Sequence, residues 1–390
     1  DAFSYLPIEL EQDIIINLSD REAGLILDNL NADDAADLID EMPANVVKKL
    51  LATADPETRR DINHLLQYPE DSAGSIMTVE FMDFKEGYTV DQSLRKIRQE
   101  GIDKETINTC YILSPHRRLV GAVSLRRLLL SDPVETMRNI MEDHVISVNT
   151  KMDQEEVAQL FQKYDFTALP VVDSENRLVG IITVDDIIDI LQQETTEDME
   201  MMAAITPTDK PYMKTGVIET WKKRIPWLLL LMISATFTGK IISAYETALA
   251  SYVVLTAFIP MFMDTGGNAG SQASVSIIRG LSLNEIAYSD TLKIVWKELR
   301  VGLLIGITLA LANFVKLLIL DRVTVPIAAV VCITLVVTVI FAKIVGCFLP
   351  ILAKRLGFDP AVMASPFITT IVDALSLIIY FRIACIILHI

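Results

Sequence analysis

Residues 177–183 read Arg-Leu-Val-Gly-Ile-Ile-Thr, and 59 residues upstream, positions 118–124 read Arg-Leu-Val-Gly-Ala-Val-Ser. The echo extends outward: Ile76-Met77 and Ile140-Met141 open two units 64 residues apart. Apolar runs bounded by turn residues, with helical spacing between them, predict strand, helix, strand, turn, strand, helix in each unit. Val171-Val172 and Leu178 to Val184 are the expected strands of the second unit. Residues 75–195 therefore read as a duplicated small α/β module.

Upstream, Leu25, Leu27, Leu30, Ala35, Leu38, Ile39, Val46, Val47, Leu50 and Leu51 recur near helical spacing. Short helices are expected over 1–70, with Asn31-Ala32-Asp33-Asp34 as a cap and Met42-Pro43 as a break. Downstream, residues 185–209 predict an acidic helix. Asp185, Asp186, Asp189, Glu194, Glu197, Asp198 and Glu200 fall in a stretch with no Lys or Arg between Arg177 and Lys210. A solvated linker is one reading. Against it, Asp186/Asp189 and Glu194/Glu197 stand three residues apart, where like charges repel on a helix and a bound cation relieves them.

The charge divides at the same place. Residues 1–220 hold 20 Lys and Arg against 43 Asp and Glu; residues 221–390 hold 14 against 8, for −17 over 390 residues. The acidic half repels phosphate backbones, which argues against nucleic acid as a partner. The apolar half offers five expected spans: Leu228–Tyr245, Leu249–Met263 continuing to Ile278, Val301–Leu320, Val325–Leu352 and Ala361–Leu388, each near the ~20 residues that cross a bilayer. Lys222, Lys223 and Arg224, then Arg279, Lys293, Lys297 and Arg300, then Lys354 and Arg355 sit on one side. That bias puts the N-terminus in the cytoplasm and the C-terminus outside. The opening at Asp1 rather than Met suggests a cropped start, and no signal-peptide pattern is seen.

Asp373 falls in mid-span, where a carboxylate costs a few kcal/mol unless it meets water, a partner or an ion. Lys343 and Arg382 are the candidates for a purely structural pairing. The second span carries Pro260 and Asp264-Thr-Gly-Gly-Asn-Ala-Gly-Ser-Gln272. Its Gly266-Gly267 pair is expected to interrupt the helix and free carbonyls which, with Asn268, suit a hard cation or its water shell. Close helix packing through small residues is the competing reading. Asp264-Thr265-Gly266 also spells the aspartic-protease tripeptide, so an intramembrane hydrolase using Asp264 and Asp373 is a remote alternative. His64, His116, His144 and His389 are isolated, and Cys110, Cys332, Cys347 and Cys385 form no C-x-x-C, so neither a zinc site nor a disulfide framework is indicated.

The duplicated module resembles a tandem CBS pair, a regulatory module that often senses adenine nucleotides. The chain as a whole resembles the MgtE family of magnesium channels. Gly266 to Gln272, Asp359-Pro-Ala, Ala364-Ser-Pro-Phe-Ile-Thr-Thr and Tyr68-Pro-Glu-Asp-Ser-Ala-Gly carry the resemblance. It implies a multidomain α + α/β + membrane α protein: a shortened helical N-domain (1–70), the CBS pair (71–192), an acidic connecting or plug helix and linker (193–220) and five membrane helices (221–390). It implies a homodimer in the cytoplasmic membrane with its pore on the two-fold axis, and no enzymatic activity. Asp373 would hold hydrated Mg2+ in the pore and Asn268 would line it. Glu155, Asp165, Asp186, Asp189, Glu194, Glu197, Asp198 and Asp359 would bind regulatory Mg2+, high cytosolic levels closing the pore. ATP is implied at the second CBS unit through Phe166, Pro170, Thr183 and Asp186; in the first unit Arg127 stands where the ribose acid is expected. An ion-coupled divalent-cation transporter of the same fold is the alternative.

Overall fold

The computed structural model describes residues 3, 6, 8–40, 42–208, 210, 212–363 and 365–389. The chain forms two compact units, Asp1–Gln192 and Gln193–Ile390.

The first unit opens with five short helices: α1 (Ile8–Asn17), α2 (Asp20–Leu27), α3 (Ala32–Asp40), α4 (Ala44–Thr53) and α5 (Pro56–Leu65). Ser19 and Glu22 start α2 with a reciprocal capping box, which satisfies two orphan donors at once. Leu27, Leu38 and Ile62 have no exposure and fill the core between these helices. Asn31 stands at the expected N-cap position, immediately before α3, although its side chain makes a remote contact. Its carbonyl takes the Ala35 N–H at 2.9 Å, while its side-chain amide donates to Glu105, 74 residues away.

The duplication then appears as two copies of one topology. β1 (Phe81–Lys85), α6 (Val90–Glu100), β2 (Thr106–Leu113), β3 (Leu119–Ser124), α7 (Leu125–Leu130) and α8 (Met137–Ile140) form the first copy. β4 (Val148–Asn149), α9 (Gln154–Tyr164), β5 (Ala168–Val172) and β6 (Leu178–Thr183) form the second. In each sheet the first two strands are parallel and the last two antiparallel. Phe81, Tyr111 and Leu119 pack with Val172, Leu178 and Ile181 in one apolar cluster shared by the two copies.

α10 (Val184–Met202) leaves the last strand as one continuous 19-residue helix. It stops at Met202 rather than running to 209. Ala204 takes a left-handed φ of 56°, and the Ala204 and Ile205 amides return to the Met201 and Glu200 carbonyls. This is a Schellman ending, built here on alanine where glycine is usual.

The second unit contains α11 (Val217–Ala244), α12 (Glu246–Ser251), α13 (Ile259–Ser282), α14 (Thr291–Ile319), α15 (Val325–Arg355) and α16 (Ser365–Leu388). Among the described residues, four helices are long and apolar enough to cross a membrane: α11, α15, α14 with its preceding 3-10 turn, and α16 with its preceding turn. The expected second span divides into α12, a 3-10 turn over Val253–Phe258 and α13. At 24 residues, α13 has the reach of a span, about 36 Å, but its polar side chains keep it out of the apolar set.

Candidate functional site

α13 runs unbroken from Ile259 to Ser282, with Pro260 in its first turn, where the missing N–H costs nothing. The expected interruption at Gly266-Gly267 is absent, so those carbonyls are spent inside the helix rather than freed for a ligand. The glycines let helices approach. A Cβ on Gly266 would lie 2.9 Å from Ser376 Oγ and Val372 Cγ1; one on Gly267 would lie 2.9 Å from Thr369 Cγ2. This is small-residue packing between apolar helices.

That packing uses one face of α13 and leaves another open. Asp264, Asn268 and Gln272, four residues apart, are exposed, while Gly266, Gly267, Ala269, Gly270, Ala273 and Ser274 are buried. Asn268 Nδ2 donates to Asp264 Oδ1 at 3.1 Å. Asp373 lies on α16 beside the buried Val372, itself half-buried, and the Asp264 charge reaches it. Neither Lys343 nor Arg382 pairs with Asp373; Lys343 Nζ instead donates to Gln272 Oε1 at 3.5 Å. Asp264 was legible only through the protease tripeptide; the four-residue spacing along α13 is the signal that finds it. With Thr265 in mid-helix, that tripeptide lacks the loop setting of a protease active site.

At the end of α10, Glu194, Glu197 and Asp198 are half-buried and share one face at spacings of three and four. Burial pushes the Asp198 carboxyl up to about 6, helped by the negative charges of Asp359 and Glu194. Asp359 Oδ1 accepts the Ala361 N–H at 2.7 Å. Met201 and Met202 pack with Ile278 and Ala361 close by. Asp189 is exposed and points away from that face. Ala364 of the Ala-Ser-Pro-Phe motif lies outside the described residues.

A second acidic junction lies inside the first unit. Asp33 and Asp34 of α3, Glu80, Glu105, and Asp185 and Asp186 of α10 come within electrostatic reach of one another. Burial drives the Asp33 carboxyl well above its usual range, with Asp186 and Asp34 adding to it. Burial first, then Asp186 and Glu80, raise Asp34 to about 6; burial, then Asp185 and Asp186, raise Glu105 to about 7. Asp186 Oδ2 accepts from Thr183 Oγ1 at 2.6 Å. Asp33, Asp34, Glu80 and Glu105 were missed because their neighbours are remote in sequence. Glu155 and Asp165 occupy opposite ends of α9, and Asp165 caps it with φ 53°. Among the described residues no group of three or more His, Cys, Asp or Glu is compact enough to hold a bare metal ion.

Of the expected nucleotide residues, Phe166 is half-buried and Thr183 is 5% exposed. Pro170 is buried within β5, opposite Ile181 of β6. An open cavity of about 640 Å3 is lined by Asn108, Thr109, Ser124, Arg126 and Thr167, among others. Phe166, Pro170, Thr183 and Asp186 do not line it, although Thr167 adjoins Phe166 in the chain, and Arg126 gives it a positive charge.

The described residues thus hold a duplicated α/β module, an acidic helix that follows it, and long apolar helices with a polar stripe, an architecture that suits a membrane protein. The divalent cation transporter family MgtE matches residues 259–383, the MgtE intracellular N domain residues 1–71, and the CBS domain residues 137–193. The magnesium transporter MgtE of Thermus thermophilus is 39% identical over 362 residues, covering 92% of this chain and 80% of that one. Its counterpart in Bacillus subtilis is 35% identical over 393 residues, covering 100% and 86%. The chain belongs to the MgtE family of magnesium transporters, and these relatives are transporters rather than enzymes, which retires the hydrolase reading. A solved cytosolic domain of the Mg2+ channel MgtE in complex with ATP is similar at 42% identity, covering 48% of this chain and 77% of that one, with a TM-score of 0.46.

Proposed function

We propose that the chain is a magnesium-selective channel of the cytoplasmic membrane. It works as a homodimer with the pathway on its two-fold axis, the N-terminus cytoplasmic and the C-terminus outside, and the domains divided at 70, 192 and 220. The observation that carries this reading is the exposed stripe Asp264–Asn268–Gln272 with Asp373 in reach of its charge. Lipid does not solvate such a stripe, so it requires a second protein surface or water. Two symmetry-related Asp373 carboxylates attract a divalent cation twice as strongly as a monovalent one. Hydrated Mg2+ keeps most of its waters and needs few direct ligands, which suits carboxylate and amide groups spaced along a helix.

Regulation rests on the two acidic junctions. Glu194, Glu197 and Asp198 beside Asp359 form a repulsive contact that Mg2+ relieves, and Asp186 belongs to a second one. Glu155, Asp165 and Asp189 act as separate outlying ligands rather than as part of one cluster. Cytosolic Mg2+ favours the closed arrangement because it binds that arrangement better. ATP occupies the second CBS unit at Phe166, Thr183 and Asp186, with its phosphates toward Arg126; Pro170 backs the site from within the sheet.

Magnesium flux into proteoliposomes with no sodium or proton gradient tests the channel reading. Flux in the wild type that disappears in Asp373→Asn supports it. Equal flux in both, or flux that appears only with a counter-ion gradient, overturns it.

A further inference from the structure

Lys343 of α15 is 4% exposed and, among the described residues, is the one charged side chain buried in the Gln193–Ile390 unit. Its stem packs on α14, where a Cβ at Gly302 would stand 3.4 Å from Lys343 Cγ. Its ammonium donates to Gln272 Oε1 on α13 at 3.5 Å. The carboxylate whose field reaches it is Glu298 of α14. Three helices therefore meet on one cation, and that cation touches an exposed polar residue of the stripe. A lysine held in an apolar bundle is costly unless it has a role.

We propose that Lys343 is a positioning and electrostatic residue for cation passage, holding the Gln272 amide and limiting how tightly the pathway binds Mg2+. The assignment rests on the stripe and Asp373 forming the pathway. A site with carboxylates alone binds a divalent ion deeply and releases it slowly, whereas conduction needs binding weak enough to leave. A fixed positive charge behind Gln272 makes the well shallower, and a divalent ion feels that charge twice over. Glu298, whose charge reaches Lys343, moderates the same field.

The test is initial Mg2+ influx into proteoliposomes of the full chain, recorded against Mg2+ concentration. Lys343→Gln is expected to lower the half-saturating concentration by roughly tenfold and to lower maximal flux as release slows. Lys343→Arg keeps the charge and stays near wild type in half-saturation. Glu298→Gln, which leaves Lys343 in place, is expected to shift half-saturation upward, the opposite direction, and serves alone if Lys343→Gln does not fold. A wild-type half-saturation in Lys343→Gln, or in Glu298→Gln, overturns the assignment whatever happens to maximal flux. If Asp373→Asn abolishes flux while these half-saturations stay fixed, this inference alone fails. Wild-type flux in Asp373→Asn fails the pathway reading beneath it.

Discussion

Gly346 of α15 meets Gly270 of α13 so closely that a Cβ on Gly346 would lie 2.2 Å from the Gly270 carbonyl oxygen. Backbone is in contact with backbone, and no flexible side chain is there to yield. Gly346→Ala must therefore push the two helices apart, at a cost of about 1–3 kcal/mol. Thermal unfolding in detergent should show a clear drop in midpoint. Gly239→Ala, whose Cβ would have nothing within 4 Å of it, should leave the midpoint near wild type.

Asp264 and Asp373 stand within reach of each other's charge. Asp264→Asn, which keeps a polar group beside Asn268, should reduce Mg2+ influx less than Asp373→Asn and raise the half-saturating concentration. Parallel uptake curves check this. If Asp264→Asn abolishes flux while Asp373→Asn does not, the weights given to the two carboxylates are reversed.

The acidic face at the end of α10 should set the response to cytosolic Mg2+. Replacing Glu194, Glu197 and Asp198 together by the corresponding amides removes the repulsion that Mg2+ relieves beside Asp359. Patch recordings at stepped cytosolic Mg2+ should then show a current whose size no longer follows the Mg2+ concentration. An inhibition curve identical to wild type would contradict the role assigned to this face.

Asp33, Asp34 and Glu105 have carboxyl pKa values raised by burial and by neighbouring acids, Asp34 to about 6 and Glu105 to about 7. Raised values mean that folding favours the protonated forms. Their contribution is fully present below the ordinary carboxylate range and is lost as pH rises through about 6 to 7. Without Mg2+, the unfolding midpoint of the first unit should thus fall between pH 5 and pH 8. Mg2+ should restore it at pH 8 and add little at pH 5. A midpoint that rises with pH across that interval would show the junction to be differently charged.

Arg126 lines the cavity beside Ser124 and Thr167. Arg126→Gln should weaken ATP more than AMP, because a lost cation matters more to a triphosphate. Asp186→Asn should weaken both alike if Asp186 holds the ribose. Calorimetric titration of both nucleotides against both variants separates these effects.

The duplicated module was legible because Arg118 to Ser124 and Arg177 to Thr183 repeat almost residue for residue, and each apolar run becomes a strand. The long apolar helices were legible for the same local reason. The middle of α13 misled because glycine reads locally as a breaker. In a bundle, the partners Val372, Thr369 and Ser376 turn it into a packing residue, and those partners lie about 100 positions away. The junction of Asp33 and Asp34 with Glu105 and Asp186 was hidden likewise: nothing near Asp33-Asp34 in the chain distinguishes a helix start from an acidic contact. The sequence offers Lys343 as a partner for Asp373, but its actual acceptor, Gln272, depends on how α13 and α15 face each other.

The unbroken course of α10 from Val184 to Met202 makes it a protractor as well as a rod. Inserting one residue between Ile190 and Gln193 would turn Glu194, Glu197 and Asp198 through about 100° about the helix axis and advance them about 1.5 Å. Seven inserted residues would bring them back to within about 20° of their present bearing. Insertions of about 7, 11 or 18 residues here should therefore keep the bearing of that face along the helix, and the lengths between should lose it.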